Sequence, residues 1–364
     1  MKILHINAGL ETGGGLTHII NLLSEAKREN KNFELLTFAE GPVAQAARKR
    51  GIIVHVLNSS SRYNLSLTKN LRKIINEGNY DIVHTHGARA NLYLSLIHRS
   101  IKAKWAVTVH SDPAIDFEDR GFLGKIFTNL NIRAIRQADC VFAITNHFSR
   151  ILVSKYNIAA EKIHVIYNGI DFHSNSEIPA KVSHQHFNIV NVARCEKVKG
   201  QDLLIKSVKK LNNRHVRLHI AGDGSQLENL KKLALDLGIN QQVVFHGFVS
   251  QERLTRLYRK MDLAALTSYS ESFPLVLLEA SDNLVPLLAT DVGDMKQLIP
   301  DEKHGLIANI GDVDSIVEQI KKYLSKTSDE CLKLAEREKE YASSRFSLNN
   351  QLVSIIDTYE NLLN

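Results

Sequence analysis

The property that most restricts how this chain can fold is an alternation of short apolar runs and longer amphipathic runs. In the first half, strand-like runs such as KILHIN, DIVHTHG and WAVTVH are each followed by a turn and a helix-like segment. Strands that alternate with helices in this way form doubly wound parallel sheets. The helices are predicted at roughly 16–28, 43–50, 66–77, 90–100 and 120–137. We therefore predict an α/β fold.

A polar interruption divides the chain into two such series. Residues 171–187, DFHSNSEIPAKVSHQHF, lack periodicity and have the character of a linker. A second alternating series starts at FNIVNVAR and ends in helical sequence. At 364 residues the chain exceeds one ordinary core and fits two domains. We predict Rossmann-like domains at 1–175 and 185–345, a C-terminal helix at 346–364 that crosses back to the first domain, and ligand sites in a cleft at the strand ends.

Composition excludes several classes of protein. Apolar residues make up 44% and charged residues 23%, as in soluble globular proteins. No apolar run approaches the roughly 20 residues that span a bilayer, and MKILHINAG is typical of a strand followed by a turn, not of a signal peptide. The three cysteines are few and widely separated, which predicts reduced thiols, neither a disulfide framework nor a zinc motif, and a cytoplasmic protein.

The net charge of +7 lies entirely in the N-terminal half. Residues 1–180 contain 22 Lys and Arg against 15 Asp and Glu, whereas residues 181–364 contain 24 of each. Nucleic acid is one explanation, but no recognisable binding module accompanies the charge, and we predict no nucleic-acid partner. An anionic membrane surface or an acidic acceptor explains the excess equally well, and so does an ordinary solvated surface.

The stretch 266–293, LTSYSESFPLVLLEASDNLVPLLATDVG, is where we predict the chemistry. It contains a strand end, a loop with Glu271, a proline that can open a helix, a helical turn with Glu279, and a second strand. Parallel sheets bind their ligands at the carboxyl ends of strands, where this loop lies. A retaining hydrolase places two carboxyl groups about 5 Å apart, whereas eight helical residues span roughly 12 Å. A hydrolase pair is therefore disfavoured.

Three further motifs bear on an anionic ligand. Arg194 and Lys199 lie in NVARCEKVKG between a strand and a helix, an arrangement that suits a diphosphate, although loop cations are often merely solvated. The glycines 13–15 let backbone N–H groups approach an anion, but they equally serve a tight turn. Asp312-Val313-Asp314 resembles a metal-binding DxD string, yet its position at a helix start favours N-terminal capping.

Taken together, these motifs resemble the retaining family 4 glycosyltransferases of GT-B fold. The resemblance rests on VARCEKVKG, AGDGSQLENL, FHGFV and SESFPLVLLEA, and on the glycine loop, HTHG, His110 and IYNGID in the family's order. It covers nearly the whole chain. The turn ASDNLVP and the sequence GDMKQLI, which lacks the family's glutamate, depart from the family pattern.

The resemblance implies a role for each matched residue. Arg194 and Lys199 would hold the donor diphosphate, Glu279 the ribose and Glu271 the sugar hydroxyls. The residues expected to be catalytic are Glu271, Arg194, Lys199 and His110. The residues expected to bind the donor are Gly14, Gly15, Asn168, Gly222, Phe248, Val249, Ser272, Phe273, Leu275 and Glu279. The two loop cations make a metal unnecessary at the diphosphate, so we expect neither a metal nor another cofactor.

The expected reaction is transfer of a sugar from a nucleotide donor, with UDP preferred to GDP, to a glycan, teichoic acid or lipid-linked acceptor of the bacterial cell envelope. A nucleotide-sugar epimerase of the same fold and a non-catalytic partner subunit remain alternatives. Nucleotide release that requires an acceptor distinguishes transfer from both.

Two regions of the first half have more than one interpretation. His84 and His86 lie two apart on a strand and so face one side; strand-end packing or acceptor contacts explain them better than a metal site. Asp112 and the acidic residues at 116–119 either contact the acceptor or are solvated. The sequence 120–137 has apolar residues at helical spacing with cations between them, which predicts either a helix packed on its sheet or a face that docks on an anionic membrane.

Overall fold

The chain folds into two units, each built on one parallel β-sheet. The computed structural model describes residues 1–11, 13–58, 66–114, 117, 121–174 and 185–364. Unit 1 comprises Met1–Asn168 together with Leu348–Asn364, and unit 2 comprises Gly169–Ser347. The α/β class and the two Rossmann-like sheets predicted from the sequence are confirmed.

Unit 1 alternates strand and helix from its first residues. Its strands within the described ranges are β1 (Lys2–Asn7), β2 (Asn32–Thr37), β3 (Val54–Val56), β4 (Ile82–His86), β5 (Lys104–Val109), β6 (Cys140–Ala143) and β7 (Ile163–Val165). Its helices within those ranges are α1 (Gly14–Arg28), α2 (Pro42–Lys49), α3 (Ser66–Gly78), α4 (Ala88–Ser95), α5 (Gly121–Gln137), α6 (Asn146–Ser154) and α14 (Leu348–Leu363).

The sheet of unit 1 has the order β3-β2-β1-β4-β5-β6-β7, and every pairing is parallel. The central strands are almost entirely buried, because helices cover both sides of a parallel sheet. The strand order reverses between β1 and β4, where Asn7 pairs with His86. The carboxyl ends of these two strands form the topological switch point, which is where such sheets bind ligands.

The last helix of the chain completes the core of unit 1. Leu352, Ile355 and Tyr359 of α14 pack in one buried apolar cluster with residues of α1, β1, β2 and β6. The Tyr359 hydroxyl forms a buried hydrogen bond with Nδ1 of His84 on β4. The first and last segments of the chain therefore share one hydrophobic core.

Unit 2 repeats the alternation with shorter strands. Its strands within the described ranges are β8 (Phe187–Val192), β9 (Val216–Ala221), β10 (Val243–Gly247), β11 (Leu263–Leu266), β12 (Leu287–Thr290) and β13 (Leu306–Ala308). Its helices within those ranges are α7 (Gln201–Leu211), α8 (Leu227–Asp236), α9 (Gln251–Tyr258), α10 (Leu275–Asp282), α11 (Met295–Leu298), α12 (Val313–Leu324) and α13 (Ser328–Phe346).

The sheet of unit 2 has the order β10-β9-β8-β11-β12-β13, and its pairings are also parallel. Its switch point lies between β8 and β11, the strands that precede the Arg194 and Glu271 loops. Two helix starts have side-chain caps: Asp312 accepts a hydrogen bond from Ser315 N–H, and Thr327 forms a reciprocal capping box with Glu330. Such caps satisfy N–H groups that a helix start leaves unpaired.

Four elements differ from the sequence-based expectation. The run CVFAITN was predicted as one strand, but β6 ends at Ala143 and Thr145 caps α6 through Phe148 N–H. The segment predicted as a helix at 90–100 is α4 followed by a short 3-10 turn at His98–Ser100. The short elements α11 and β13 were not predicted, because three or four residues are too few to show a period.

No helix within the described ranges is long and apolar enough to cross a lipid bilayer.

Candidate functional site

The loops that follow β8 and β11 lie side by side at the switch point of unit 2. Thr267 Oγ1 donates to the Gly200 carbonyl at 2.8 Å, and Tyr269 N–H donates to the Val198 carbonyl at 2.8 Å. Gly200 has φ +61°, and a Cβ at this position would stand 2.2 Å from the Thr267 carbonyl oxygen. A side chain at position 200 would therefore push the two loops apart.

This contact brings together two of the residues predicted to be catalytic. Lys199 Nζ lies 2.7 Å from Oε1 of Glu271, and the Ser268 hydroxyl donates to the same oxygen at 2.6 Å. The side chains of Lys199 and Glu271 are 19% and 9% exposed, so the pair is shielded from most of the solvent. Shielding strengthens an ion pair, because screening by water is reduced. The sequence predicted both residues but neither their contact nor Ser268.

The β12 end supports the Glu271 loop from the other side. Thr290 Oγ1 donates to the Ser268 carbonyl at 2.6 Å. Gly293 has φ +56°, and a Cβ there would stand 2.6 Å from the Glu271 carbonyl oxygen. The loop from Ser268 to Glu271 is thus held by backbone and side-chain contacts at both ends, which favours a preorganised carboxylate.

The Arg194 loop is held by the glycine-containing segment that follows β9. Cys195 N–H donates to the Asp223 carbonyl at 2.8 Å, and Glu196 accepts hydrogen bonds from the backbone N–H and hydroxyl of Ser225. Gly222 has φ +156°, and a Cβ there would lie 1.8 Å from the Ala193 carbonyl oxygen. The Arg194 side chain itself is exposed. Its backbone is therefore fixed, while its guanidinium faces solvent and can reach an anion.

Glu279 lies on α10, the helix that directly follows the Glu271 loop. Burial raises the pKa of Glu279 to about 7, against the lowering effect of a hydrogen bond from Gln251 and with a further increase from Asp282. A carboxyl group with a pKa near neutrality changes its protonation state within the physiological range. Among the described residues that were predicted to bind the donor, Glu279 has the most strongly shifted pKa.

The remaining donor residues predicted in unit 2 occupy different environments. Phe248 is 80% exposed at the end of β10, beside the partly exposed Val249. Phe273 is buried against Phe346, with ring centroids 4.9 Å apart, so its side chain is a core residue. Ser272 and Leu275 are partly exposed beside it. Pro274 was expected to occupy the first helical position, but it is the N-cap of α10, and the helix begins at Leu275.

The predicted residues of unit 1 gather at its own switch point. Gly14 and Gly15 begin α1, and a Cβ at Gly14 would have no atom within 4 Å, so the backbone there is open to approach. His110 follows β5, and its Nε2 lies 3.3 Å from Nδ1 of His86. Asn168 is buried, and its Oδ1 lies 2.6 Å from Nδ1 of His18. Asn168 is thus engaged within unit 1, through a histidine that the sequence did not single out.

A cavity of about 880 Å³ opens beside His110 in unit 1. Aromatic and aliphatic side chains, among them Leu92, Tyr93, Phe117, Phe127 and Leu130, form most of its wall. Gly15 and Gly87 line it at the switch point. Ligand pockets of about 300–1,000 Å³ with mostly apolar walls and a few polar groups are typical of binding sites.

Helix α5 presents apolar residues to solvent instead of to its sheet. Phe122 is 78% exposed and Leu123 61%, and Ile126 and Leu130 are also exposed. The residues that pack are Ile132, Ala134 and Ile135 in the second half of the helix. The interpretation of the whole stretch as an ordinary packed helix is therefore wrong for its first half.

The acidic candidates have local roles. Asp312 caps α12, as predicted. Burial raises the pKa of Asp112, but hydrogen bonds from Lys155 and Tyr156 outweigh it, and the pKa falls below its usual value. Asp112 accepts those bonds and one from Ala114 N–H, so it ties its loop to α6. The acidic residues predicted at 116–119 lie outside the described residues.

Two Rossmann-like parallel sheets, each with its candidate residues at a switch point, define the GT-B class of glycosyltransferase fold. The family model described as Glycosyltransferase Family 4 matches residues 12–174, and the model described as Glycosyl transferases group 1 matches residues 175–345. The chain therefore belongs to glycosyltransferase family 4.

Individual proteins resemble the chain over nearly its whole length. An uncharacterised 41.2 kDa protein in the cps region of Klebsiella pneumoniae is 24% identical over 99% of both chains. The crystal structure of Anabaena HepE in complex with UDP superposes with a TM-score of 0.83 at 21% identity, over 99% of this chain and 100% of that one. The lipopolysaccharide outer core galactosyltransferase WaaB superposes with a TM-score of 0.78 at 20% identity, over 99% of both. These two structures establish the fold.

The role of Gly222 in holding the Arg194 loop is testable. We expect Gly222→Ala to lower the free energy of unfolding by more than the about 1–3 kcal/mol that an unfavourable backbone conformation costs, because its Cβ also meets the Ala193 carbonyl. Gly238→Ala is the matched control: its φ is +67° with nothing within 4 Å, so only the conformational cost of about 1–2 kcal/mol applies. Equal losses in denaturant unfolding would contradict this account.

Proposed function

We propose that this protein is a retaining glycosyltransferase that moves a sugar from a UDP-linked donor to an acceptor of the bacterial cell envelope. The observation that carries the proposal is the shielded cluster of Lys199, Glu271 and Ser268, with the exposed Arg194 guanidinium in the adjoining loop at the β8–β11 switch point. It combines cations for a diphosphate with a fixed carboxylate for hydroxyl groups.

The reaction itself explains why such a cluster is needed. When a sugar leaves a nucleoside diphosphate, positive charge develops at the anomeric carbon and negative charge on the departing phosphate oxygen. Fixed cations that face this oxygen stabilise the transition state more than the ground state. Arg194 and Lys199 supply this charge, so the proposed step requires no divalent cation at the diphosphate.

The contact between Lys199 and Glu271 orients both groups before the donor arrives. The carboxylate holds Lys199 Nζ 2.7 Å away, and the Ser268 hydroxyl holds the carboxylate. We propose that Lys199 keeps this contact while a second N–H binds the diphosphate, and that the other Glu271 oxygen accepts hydrogen bonds from sugar hydroxyls. Glu279 would accept hydrogen bonds from the ribose.

Support for the donor and the acceptor comes from different observations. The similar HepE structure contains UDP, which supports a uridine nucleotide. The similar WaaB structure is that of a lipopolysaccharide galactosyltransferase, which supports an envelope glycan. The largely apolar cavity beside His110 and the exposed apolar face of α5 support an acceptor with an apolar chain, such as a lipid-linked glycan at a membrane surface.

The diphosphate role is tested most cleanly at Arg194, because its side chain is exposed and its removal should leave stability within about 0.5 kcal/mol. We expect Arg194→Met to lower kcat/KM by about 10²–10³, the usual effect of removing one charge-stabilising group. Lys197→Met removes an exposed cation from the same loop and should leave kcat/KM unchanged. Lys199→Met should behave like Arg194→Met, with thermal unfolding as a check because Glu271 loses its partner.

The assay for these variants measures nucleotide release from a panel of sugar nucleotides, with and without bacterial envelope extract. Release that needs the extract, with retained anomeric configuration in the product, supports transfer. An isomerised donor without extract would support the epimerase, and absence of donor binding would support a non-catalytic subunit. Equal activity of Arg194→Met and Lys197→Met would refute the diphosphate role.

The pKa of Glu279 predicts a pH dependence of donor binding. The carboxylate accepts ribose hydrogen bonds better than the acid does, so donor affinity should rise as the pH rises through about 7 and then level off. The rise should reach about tenfold for each unit by which binding lowers the Glu279 pKa. Calorimetry with a sugar nucleotide avoids the terminal phosphate of free UDP, which itself titrates near pH 6.

Glu279→Gln is the control for this prediction, because it keeps hydrogen bonding but does not titrate. Its donor affinity should be independent of pH over the same range. Without donor the sign is opposite: the folded pKa lies above the unfolded value of 4.5, so this group's contribution to stability falls as the pH rises from 4.5 to about 7. A wild-type protein with pH-independent affinity would contradict the role of Glu279.

The exposed apolar face of α5, with the cations beside it, predicts salt-sensitive binding to anionic vesicles. Burial of one Phe or Leu side chain contributes about 1.5–3 kcal/mol, so Phe122→Asp with Leu123→Asp should weaken binding at least about tenfold. Leu235→Asp changes an exposed leucine of unit 2 (62% exposed) and should have no effect. Vesicle sedimentation at low and high salt measures this, and absence of binding at low salt would remove the membrane proposal.

A further inference from the structure

Five histidines form a connected, largely buried cluster in unit 1. His5 lies on β1, His84 and His86 on β4, His18 on α1 and His110 after β5. Nδ1 of His5 lies 2.9 Å from Nε2 of His86, and Nδ1 of His86 lies 3.3 Å from Nε2 of His110. The strand order β1-β4-β5 brings His5, the two β4 histidines and His110 together from distant parts of the sequence, and α1 adds His18. Two of the imidazole nitrogens, Nε2 of His5 and Nε2 of His18, are buried without a hydrogen-bond partner among the described residues.

Two groups of three within this cluster have ligand atoms within 4.8 Å of one another: His5, His84 and His86, and His18, His86 and His110. In the first group both His84 nitrogens are already occupied, by the Tyr359 hydroxyl and by Thr108 Oγ1, and all three residues are fully buried. The second group includes His110, which borders the cavity and is partly exposed. The second group is therefore the one that an ion can reach.

His18 has one nitrogen available to this second group. Its Nδ1 lies 2.6 Å from Asn168 Oδ1 and 3.2 Å from the Gln351 side-chain amide, and we assign the imidazole N–H to the shorter contact, where it donates to the Asn168 oxygen. Its Nε2 then has a lone pair, is fully buried, and lacks a hydrogen-bond partner among the described residues. A metal-binding histidine typically donates its other N–H to a carbonyl or carboxylate group, which fixes the tautomer. Asn168 provides that acceptor.

The separation of the other two ligand atoms also fits an ion. Nδ1 of His86 and Nε2 of His110 are 3.3 Å apart, longer than the usual N–H···acceptor distance of about 2.9–3.0 Å. Two nitrogens bound at about 2.0–2.1 Å to a tetrahedral Zn²⁺ stand roughly 3.3 Å apart. The His18 ligand atom lies within 4.8 Å of the other two, so it must approach by at most about 1.5 Å to complete the site.

The protonation states agree with this geometry. Burial lowers the pKa of His18 to about 4, and burial together with the neighbouring histidines lowers those of His86 and His110 well below the usual value. These shifts favour the neutral imidazole, which is the form that binds a metal.

We propose that His18, His86 and His110 form a three-histidine site for a divalent transition metal such as Zn²⁺. Imidazole ligands suit zinc, copper, iron and nickel. The fourth position of the ion faces the cavity that His110 borders, where water or a ligand oxygen completes a four-coordinate site. Its three ligands belong to unit 1, whereas the proposed diphosphate cations belong to unit 2.

The experiment is a titration of chelator-treated, tag-free full-length protein with Co²⁺, followed by displacement with Zn²⁺. Tetrahedral Co²⁺ absorbs visible light far more strongly than the hydrated ion, so the spectrum reports coordination geometry without any activity assay. We expect saturation at one Co²⁺ per chain and loss of the spectrum when Zn²⁺ is added.

Four variants locate the site. His18→Gln and His110→Gln should lose binding by more than the about 10- to 100-fold expected for Asn168→Ala, which removes only the outer partner. His147→Gln changes an exposed histidine on α6 and should bind as the wild type does. His110→Gln decides the matter if His18→Gln fails to fold by circular dichroism. Absence of saturable wild-type binding, or binding that survives both ligand variants, overturns the proposal.

Discussion

The close approach of two loops at the β8–β11 switch point is the constraint on which the donor side of the molecule depends. Gly200 lets the backbone after β8 meet Thr267, and the hydrogen bond from Thr267 Oγ1 fixes that approach. Lys199 and Glu271 are 72 residues apart in the chain, yet they meet because these loops are joined one residue from Lys199. Electrostatic preorganisation in this unit is therefore a consequence of a backbone contact.

The two units share one sheet topology but place different chemical groups at the switch point. Each has its strand-order reversal next to its first strand, and each places polar residues at that point. In unit 2 the residues are cations and carboxylates that suit a charged donor. In unit 1 they are glycines and neutral histidines beside an apolar cavity. Lys125 and Arg133 of α5 are exposed, as are Phe122 and Leu123, so positive charge and apolar surface coincide on this helix.

Sequence patterns predicted what depends on short-range order. The alternation of strands and helices, the loops that carry Arg194 and Glu271, and the cap at Asp312 were all evident, because period and turn chemistry are local. The ion pair between Lys199 and Glu271 was not, because it depends on strand order. His5 and His18 were missed for the same reason: a single histidine in a strand or helix has no signal until its neighbours are known. The solvent exposure of Phe122 and Leu123 could not be predicted either, because periodicity identifies the apolar face of a helix but not what packs against it.

The position of α14 has a consequence for how the protein is made. A ribosome releases residues 1–168 long before Leu348–Leu363, although both belong to one core. During that interval the surface on α1 and β2 that Tyr359 and Ile355 later cover stays open to solvent or to chaperones. Unit 2 has all its residues available first, so the order of completion is the reverse of the usual N-to-C order of domain folding. Removal of Leu348–Leu363 would consequently leave the core that contains the strands at the other end of the sequence incomplete.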